Sequence, residues 1–259
     1  MSSSIRRSPN PRRFLFLLLL LPVLSVGIGT AAPQPGPLLG AAISSGKGGP
    51  IISAPVQIVI LMTFLTVLPA TIMCVTPFLR ISMVLHFLRQ AIGTQTAPTN
   101  QVLIGLAMFL SILIMQPVAI EMYRKGWQPF DNGTLTMDEA LEQGAQPLRT
   151  FLLKFAREKD IRLFVEITHA PEPRGPGDLS LQVLIPAYII SELKASFQIG
   201  AVIYLPFMVI DLVIASVTLS MGMMQLPPTL LSAPFKVLLF VLVDGWNLVV
   251  GSLMKGFYT

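Results

Sequence analysis

Two carboxylates stand where so apolar a chain should not tolerate them. Asp211 and Asp244 each interrupt a long run of Leu, Ile, Val, Met and Phe. Glu192 and Lys194 lie two positions apart, shortly after Pro186, and Lys236 opens the second run. An ionised side chain at the centre of a membrane helix costs about 2.5–3.5 kcal/mol on insertion scales. These five groups must therefore face protein or water. They either line a polar conduit or assembly interface, or form buried pairs that set the register of a helical bundle. Spacing alone leaves both readings open.

A second oddity is Ser220-Met221-Gly222-Met223-Met224-Gln225-Leu226-Pro227-Pro228. Glycine and a double proline break a helix. Unbranched thioether side chains adapt to irregular shapes. Non-helical backbone at membrane depth survives only inside protein or along a cavity. The segment is thus either a pliable constriction or an ordinary helix end.

Bond-making chemistry is not apparent. Gly46-Lys47-Gly48-Gly49 lacks the spacing of a phosphate-binding loop, and no metalloprotease, nucleophile-elbow or dinucleotide-binding motif occurs. His86 and His169 have no evident partners, and Cys74 is the single cysteine, so neither metal spacing nor an intrachain disulfide is available. We expect no enzyme, no cofactor and no metal.

The elements that must position these charges follow from composition. Of 259 residues, 53% are hydrophobic and 12% charged, with a mean hydropathy of +0.71. A soluble globular chain carries about 25% charged residues. Of the charged residues, 18 fall within 121–180, a polar insert between two apolar blocks. Arg6, Arg7, Arg12 and Arg13 precede Phe14-Leu15-Phe16-Leu17 and a stretch of small residues ending Ala31-Ala32, the anatomy of a secretory signal peptide. Removing those four arginines takes the net charge from +5 to +1, so the basic balance calls for no nucleic acid. We expect a signal peptide over 1–31, a Pro/Gly-rich linker over 32–52, an apolar helical block over 53–122, an insert over 123–183 and a second apolar block over 184–259.

Four apolar segments, near 56–75, 102–120, 196–224 and 235–254, approach or exceed the roughly 20 residues that span hydrocarbon. They lack the alternation of barrel strands. The fold class is all-α, a membrane-associated protein of about four long helices. With a cleaved signal, the basic connection 76–100 falls on the cytoplasmic side and the insert in the periplasm. Over 77–93, Ile81, Val84, Leu85 and Leu88 recur at helical spacing while Arg80 and Arg89 interrupt them, which suits an interfacial or bundle-packed helix. In the insert, Asp131-Asn132-Gly133-Thr134 is turn material, and Thr136 followed three residues on by Glu139 has the form of a capping box. Leu148, Phe151, Leu152 and Phe155 form a helical stripe. An insert of this size buries little core alone. We expect Phe151, Phe155 and Phe164 to join neighbouring copies.

Longer motifs carry a resemblance. Val75-Thr76-Pro77-Phe78-Leu79-Arg80-Ile81, Leu88-Arg89-Gln90-Ala91-Ile92-Gly93-Thr94-Gln95, Ser191-Glu192-Leu193-Lys194-Ala195-Ser196-Phe197-Gln198, Leu205-Pro206-Phe207-Met208-Val209-Ile210-Asp211 and Val243-Asp244-Gly245-Trp246 closely resemble the FliP family of bacterial flagellar type III export-gate proteins. The likeness covers about residues 50–257. It implies a pore-forming core subunit in the inner membrane of the flagellar basal body. Several copies would assemble with FliQ and FliR, near FlhA and FlhB, and pass unfolded flagellar subunits. The family's methionine-rich loop implies a gate at Met221, Met223, Met224 and Gln225. Gln225 stands where family members commonly carry another methionine. The related SctR proteins of injectisomes, and a stand-alone small-solute channel, are the alternatives. The resemblance also implies that hydropathy spans need not be true crossings.

Overall fold

The computed structural model describes residues 54–94, 97–169, 179–223 and 227–258. The expected signal peptide and linker lie outside them. The chain divides into two units, Met1–Thr71 and Ile72–Thr259. From the first, only helix α1 (Ala54–Cys74, running just past the boundary) is described. It has no charged residue and is apolar on every face, the pattern of a helix surrounded by lipid or protein.

In the second unit, α2 (Phe78–Ile92) leads to α3 (Asn100–Met122), a π-helical turn (Tyr123–Trp127) and the short α4 (Gln128–Asp131). The polar insert supplies α5 (Met137–Phe155) and α6 (Glu158–Thr168). Then come α7 (Leu181–Ser220), α8 (Pro228–Leu242) and α9 (Gly245–Tyr258). No strand occurs among the described residues, as the all-α expectation requires.

Helix α2 is the hub. Its Ile81, Val84, Leu85 and Leu88 are buried, so the helix is packed into the bundle rather than lying at an interface. They meet Leu103, Ala107, Leu110 and Ile114 of α3, Phe207 of α7, Phe240 of α8 and Val249, Leu253 and Phe257 of α9. Contacts between α2 and α7 advance together along both helices, from Arg80–Glu192 to Gln90–Tyr204, so the two run parallel. Gly200 makes room for this approach: a Cβ there would stand 2.5 Å from the Phe87 ring.

The insert packs on the same helices. The stripe of α5 places Leu152 in a second cluster with Leu184 and Tyr188 of α7, flanked by Leu148, Phe151 and Phe155. The capping box is present: Thr136 Oγ1 accepts from the Glu139 amide, and the Thr136 amide donates to the Glu139 carboxylate. Gly126 lets the π turn touch α5, because a Cβ there would lie 2.7 Å from the Ala140 carbonyl oxygen and 2.9 Å from the Gly144 Cα.

Two expected segments differ from the helices found. The third starts earlier, at Leu181, and reaches 40 residues. Each internal proline, Pro186 and Pro206, removes one backbone donor. Glu192 does not break the run because its charge is matched within the fold. The fourth is not continuous: α8 and α9 are bent by 63°. Asp244 adopts the left-handed conformation (φ +50°) there, and Gly245 packs under the Phe240 ring, where a Cβ would come within 2.1 Å.

Among the described residues, Pro55–Cys74, Asn100–Asp131 and Leu181–Ser220 are long and apolar enough to cross a membrane, and α8 with α9 adds a fourth if the bent pair counts as one span. Helix α7 is about 60 Å long at 1.5 Å per residue, twice the thickness of the hydrocarbon core.

Candidate functional site

The charges found in the sequence sit at successive levels along α7. The first level is Glu192, whose side chain is wholly buried. Arg80 of α2 donates to both of its oxygens, through Nε to Oε2 at 2.7 Å and through Nη2 to Oε1. This forked geometry is the strongest form of ion pair. The guanidinium also lies 4.2 Å from the ring centroid of Phe257 on α9 and 5.4 Å from that of Phe155 on α5. Those two rings meet edge to face at 5.1 Å. One largely covered cation thus joins α2, α5, α7 and α9.

Beside it, Ser191 Oγ donates to Asp160 Oδ2 at 2.6 Å and accepts from the Arg157 amide at 3.0 Å. Arg157 Nη2 donates to Gln198 Oε1 at 2.9 Å. These bonds fasten the start of α6 to α7. Lys194, two residues past Glu192, is exposed and pairs with no acid among the described residues. Glu192 and Lys194 are therefore separate features despite their spacing, which on a helix points them to different faces.

The second level lies farther along α7. Lys236 Nζ of α8 donates to Asp211 Oδ2 at 2.6 Å, and Ser232 Oγ donates to Oδ1 at 2.5 Å. The lysine side chain is 8% exposed and the aspartate 36%, so this pair opens partly to its surroundings. Asp244 joins neither level. It is exposed at the bend and accepts from Asn247 Nδ2 at 3.2 Å, serving the turn.

The methionine segment begins as a helix terminus. Met223 N–H donates to the Thr218 carbonyl and Gly222 N–H to that of Leu219, a Schellman motif with Gly222 at φ +76°. Met221 and Met223 are exposed. Met224 and Gln225 lie outside the described residues. Phe151 and Phe155 pack inside the protomer, with ring centroids 5.0 Å apart, and Phe164 on α6 is half-buried. No group of three His, Cys, Asp or Glu residues that could hold a metal ion occurs among the described residues.

The sequence reading missed Arg80, Ser191, Asp160, Ser232 and Phe257. Arg80 stood out only as an interruption of α2, yet its partner was findable: a cation on an apolar helix needs an acid, and Glu192 was an unclaimed acid in the other block. The two serines carried no signal that distinguishes them from others.

The FliP family model matches residues 61–253, which contain both charged levels of α7. The chain belongs to the FliP family. It is 47% identical over 213 residues to the flagellar biosynthetic protein FliP of Pectobacterium carotovorum subsp. carotovorum, covering 82% of this chain and 83% of that one. The protein of the same name from Bacillus subtilis (strain 168) is 45% identical over 206 residues, covering 80% and 93%. That from Caulobacter vibrioides is 45% identical over 215 residues, covering 83% and 81%. In this FliP-family chain, the two charged levels on α7 and the methionine turn at its end are the features with chemistry to offer. None of them is arranged for bond making. They can hold helices in register and present a soft apolar edge.

Proposed function

We propose that the chain is a core, pore-forming subunit of the flagellar type III protein export gate, passing unfolded flagellar subunits across the bacterial inner membrane. It acts without a cofactor and is not an enzyme. Its relatives' name speaks of flagellar biosynthesis. The observation that carries the reading is a division of surfaces. The strongest charges are matched inside the protomer, while Val202, Leu205, Val209 and Leu212 of α7 and Leu238, Val241 and Leu242 of α8 are left uncovered. Uncovered apolar area on this scale asks for lipid or for further subunits.

Several copies assemble with FliQ and FliR, near FlhA and FlhB. Residues 1–31 direct export and are removed, and 32–52 link them to the first apolar block. The insert 123–183 lies in the periplasm and helps copies associate through Phe164 and the exposed parts of Phe151 and Phe155. Met221, Met223, Met224 and Gln225 form the gate. Support for the gate is the helix stop at Gly222, which leaves Met221 and Met223 exposed at the end of α7.

The test is cross-linking of a stalled export substrate to photoreactive positions 221 and 223 in cells, together with co-purification. Capture of unfolded cargo within a complex containing FliQ and FliR is expected. Transport of a small solute by the purified chain alone overturns the reading. The double variant Met223→Ala/Met224→Ala is expected to raise ion leak through the assembled complex when no substrate is present. Unchanged leak removes the methionines from the gate.

A further inference from the structure

Helix α7 ends on two uncovered thioethers. Met221 is 66% exposed and Met223 41%. Gly222 between them turns the chain at φ +76°, where a Cβ would meet no atom within 4 Å. The hydrogen-bond donors of this turn are already spent. The amides of Met221, Gly222 and Met223 donate to the carbonyls of Val217, Leu219 and Thr218. The hydroxyls fold back onto their own helix: Ser216 donates to Leu212, Thr218 to Ile214 and Ala215, and Ser220 to Val217 at 2.7 Å. What the turn offers instead is acceptors, the last carbonyls of a 40-residue helix at the negative end of its dipole. Such a setting suits an apolar sulfur. To a polar one it gives no donor among the described residues.

A hydroperoxide makes that change. The sulfur lone pair attacks one peroxide oxygen and the O–O bond breaks. That oxygen stays on sulfur, its proton passes to the departing hydroxide, and water leaves. Sulfur loses the two electrons that the peroxide gains. The product, methionine sulfoxide, is polar where the thioether was apolar. Its oxygen needs a donor, and with the donors of the turn engaged only water can supply one. Methionines packed in an apolar constriction would hold that oxygen unsatisfied, at a cost. Methionines facing water would not.

We propose that Met221 and Met223 are a hydroperoxide-sensitive modification site, whose sulfoxides bias the export gate towards its open, hydrated state. The proposal rests on the gate reading given above and adds its regulation.

The test uses the assembled complex in membrane vesicles, without export substrate, treated with hydrogen peroxide. Peptide mass spectrometry locates the sulfoxides, and ion leak is measured before and after treatment. Sulfoxide at 221 and 223 should raise leak roughly tenfold, the effect of a buried acceptor left unsatisfied. Leucine keeps apolar bulk without an oxidisable sulfur. Met221→Leu/Met223→Leu, compared with its own untreated sample, should therefore lose the response. Met137 is comparably exposed, at 52%, but stands on the insert away from the gate. Met137→Leu should respond to peroxide as the parent does. A full response in Met221→Leu/Met223→Leu overturns the proposal. So does sulfoxide at both positions with unchanged leak, or its absence from both while Met137 is oxidised. Failure of the gate reading itself shows separately, as unchanged leak in the untreated Met223→Ala/Met224→Ala complex. Should the leucine variant not assemble, graded oxidation of the parent decides: leak that follows sulfoxide at 221 and 223 supports the site, and leak that follows sulfoxide at 137 instead refutes it.

Discussion

Removing one partner of the Arg80–Glu192 pair is the sharpest test of how this bundle is held. Glu192 is wholly buried and the Arg80 side chain is 11% exposed, so water can replace neither partner. Arg80→Met leaves a carboxylate among apolar side chains and removes the cation from the Phe257 ring. Breaking a buried pair in this way costs about 3–5 kcal/mol, against a typical total of about 5–15 kcal/mol. A loss of about 4 kcal/mol lowers the folding equilibrium roughly a thousandfold. The double variant Arg80→Met/Glu192→Leu leaves no orphaned charge and should recover most of that loss. Titrating the purified chain in mixed micelles with a denaturing detergent, with folding read by tryptophan fluorescence, measures Arg80→Met, Glu192→Leu and the double variant against the parent. Lys194→Met, two residues from Glu192 but exposed, should stay within about 0.5 kcal/mol. The reasoning fails if Arg80→Met costs under about 1 kcal/mol, or if the double variant is as unstable as the two single changes added together.

Gly126→Ala should cost about 1–3 kcal/mol, because the added Cβ meets backbone of α5 that cannot swing aside; limited proteolysis of the insert should quicken, and an unchanged digest contradicts the close contact. Gly222→Ala meets no neighbour but strains a φ of +76°, at about 1 kcal/mol; amide exchange at Met223 should speed up while that of residues around Glu192 stays slow. The Thr136 backbone N–H, and then its hydroxyl, hold the Glu139 carboxyl below its ordinary value of 4.5. A carboxyl depressed in the folded state stabilises above the unfolded value and loses that contribution as pH falls through the folded one. An NMR titration of Glu139 in the full chain should therefore show a midpoint below 4.5 that Thr136→Ala raises, and no change on substitution would mean that the box does not form in solution.

How much of this was legible in the sequence depended on how local the cause was. The charge-free run of α1, the buried stripe of α2 and the capping box at Thr136 all follow from residues within a few positions of one another. Periodicity and capping chemistry act over one or two helical turns, so they can be read in one dimension. The extent of α7 could not. The expected segment near 196–224 left out the stretch holding Glu192 and Lys194, yet a matched charge does not end an apolar helix. The break at Asp244 was hidden for the converse reason: Val241-Leu242-Val243 continues the hydropathy, while a left-handed residue and a ring packed under Gly245 turn the chain.

The sequence by itself determined that this is a helical, membrane-associated chain of the FliP family, with a few charges too costly to leave unpaired in apolar surroundings. Tertiary structure decided which charges meet. Arg80 and Glu192 are separated by 112 residues, and Asp211 and Lys236 by 25. Neither pairing can be inferred from spacing, because each depends on which helices lie side by side. The parallel packing of α2 on α7 selects the first partner and the return of α8 selects the second. The same packing leaves Lys194 exposed and Arg89 with neutral acceptors. It thereby separates the charges that hold helices together within the protomer from those that do not.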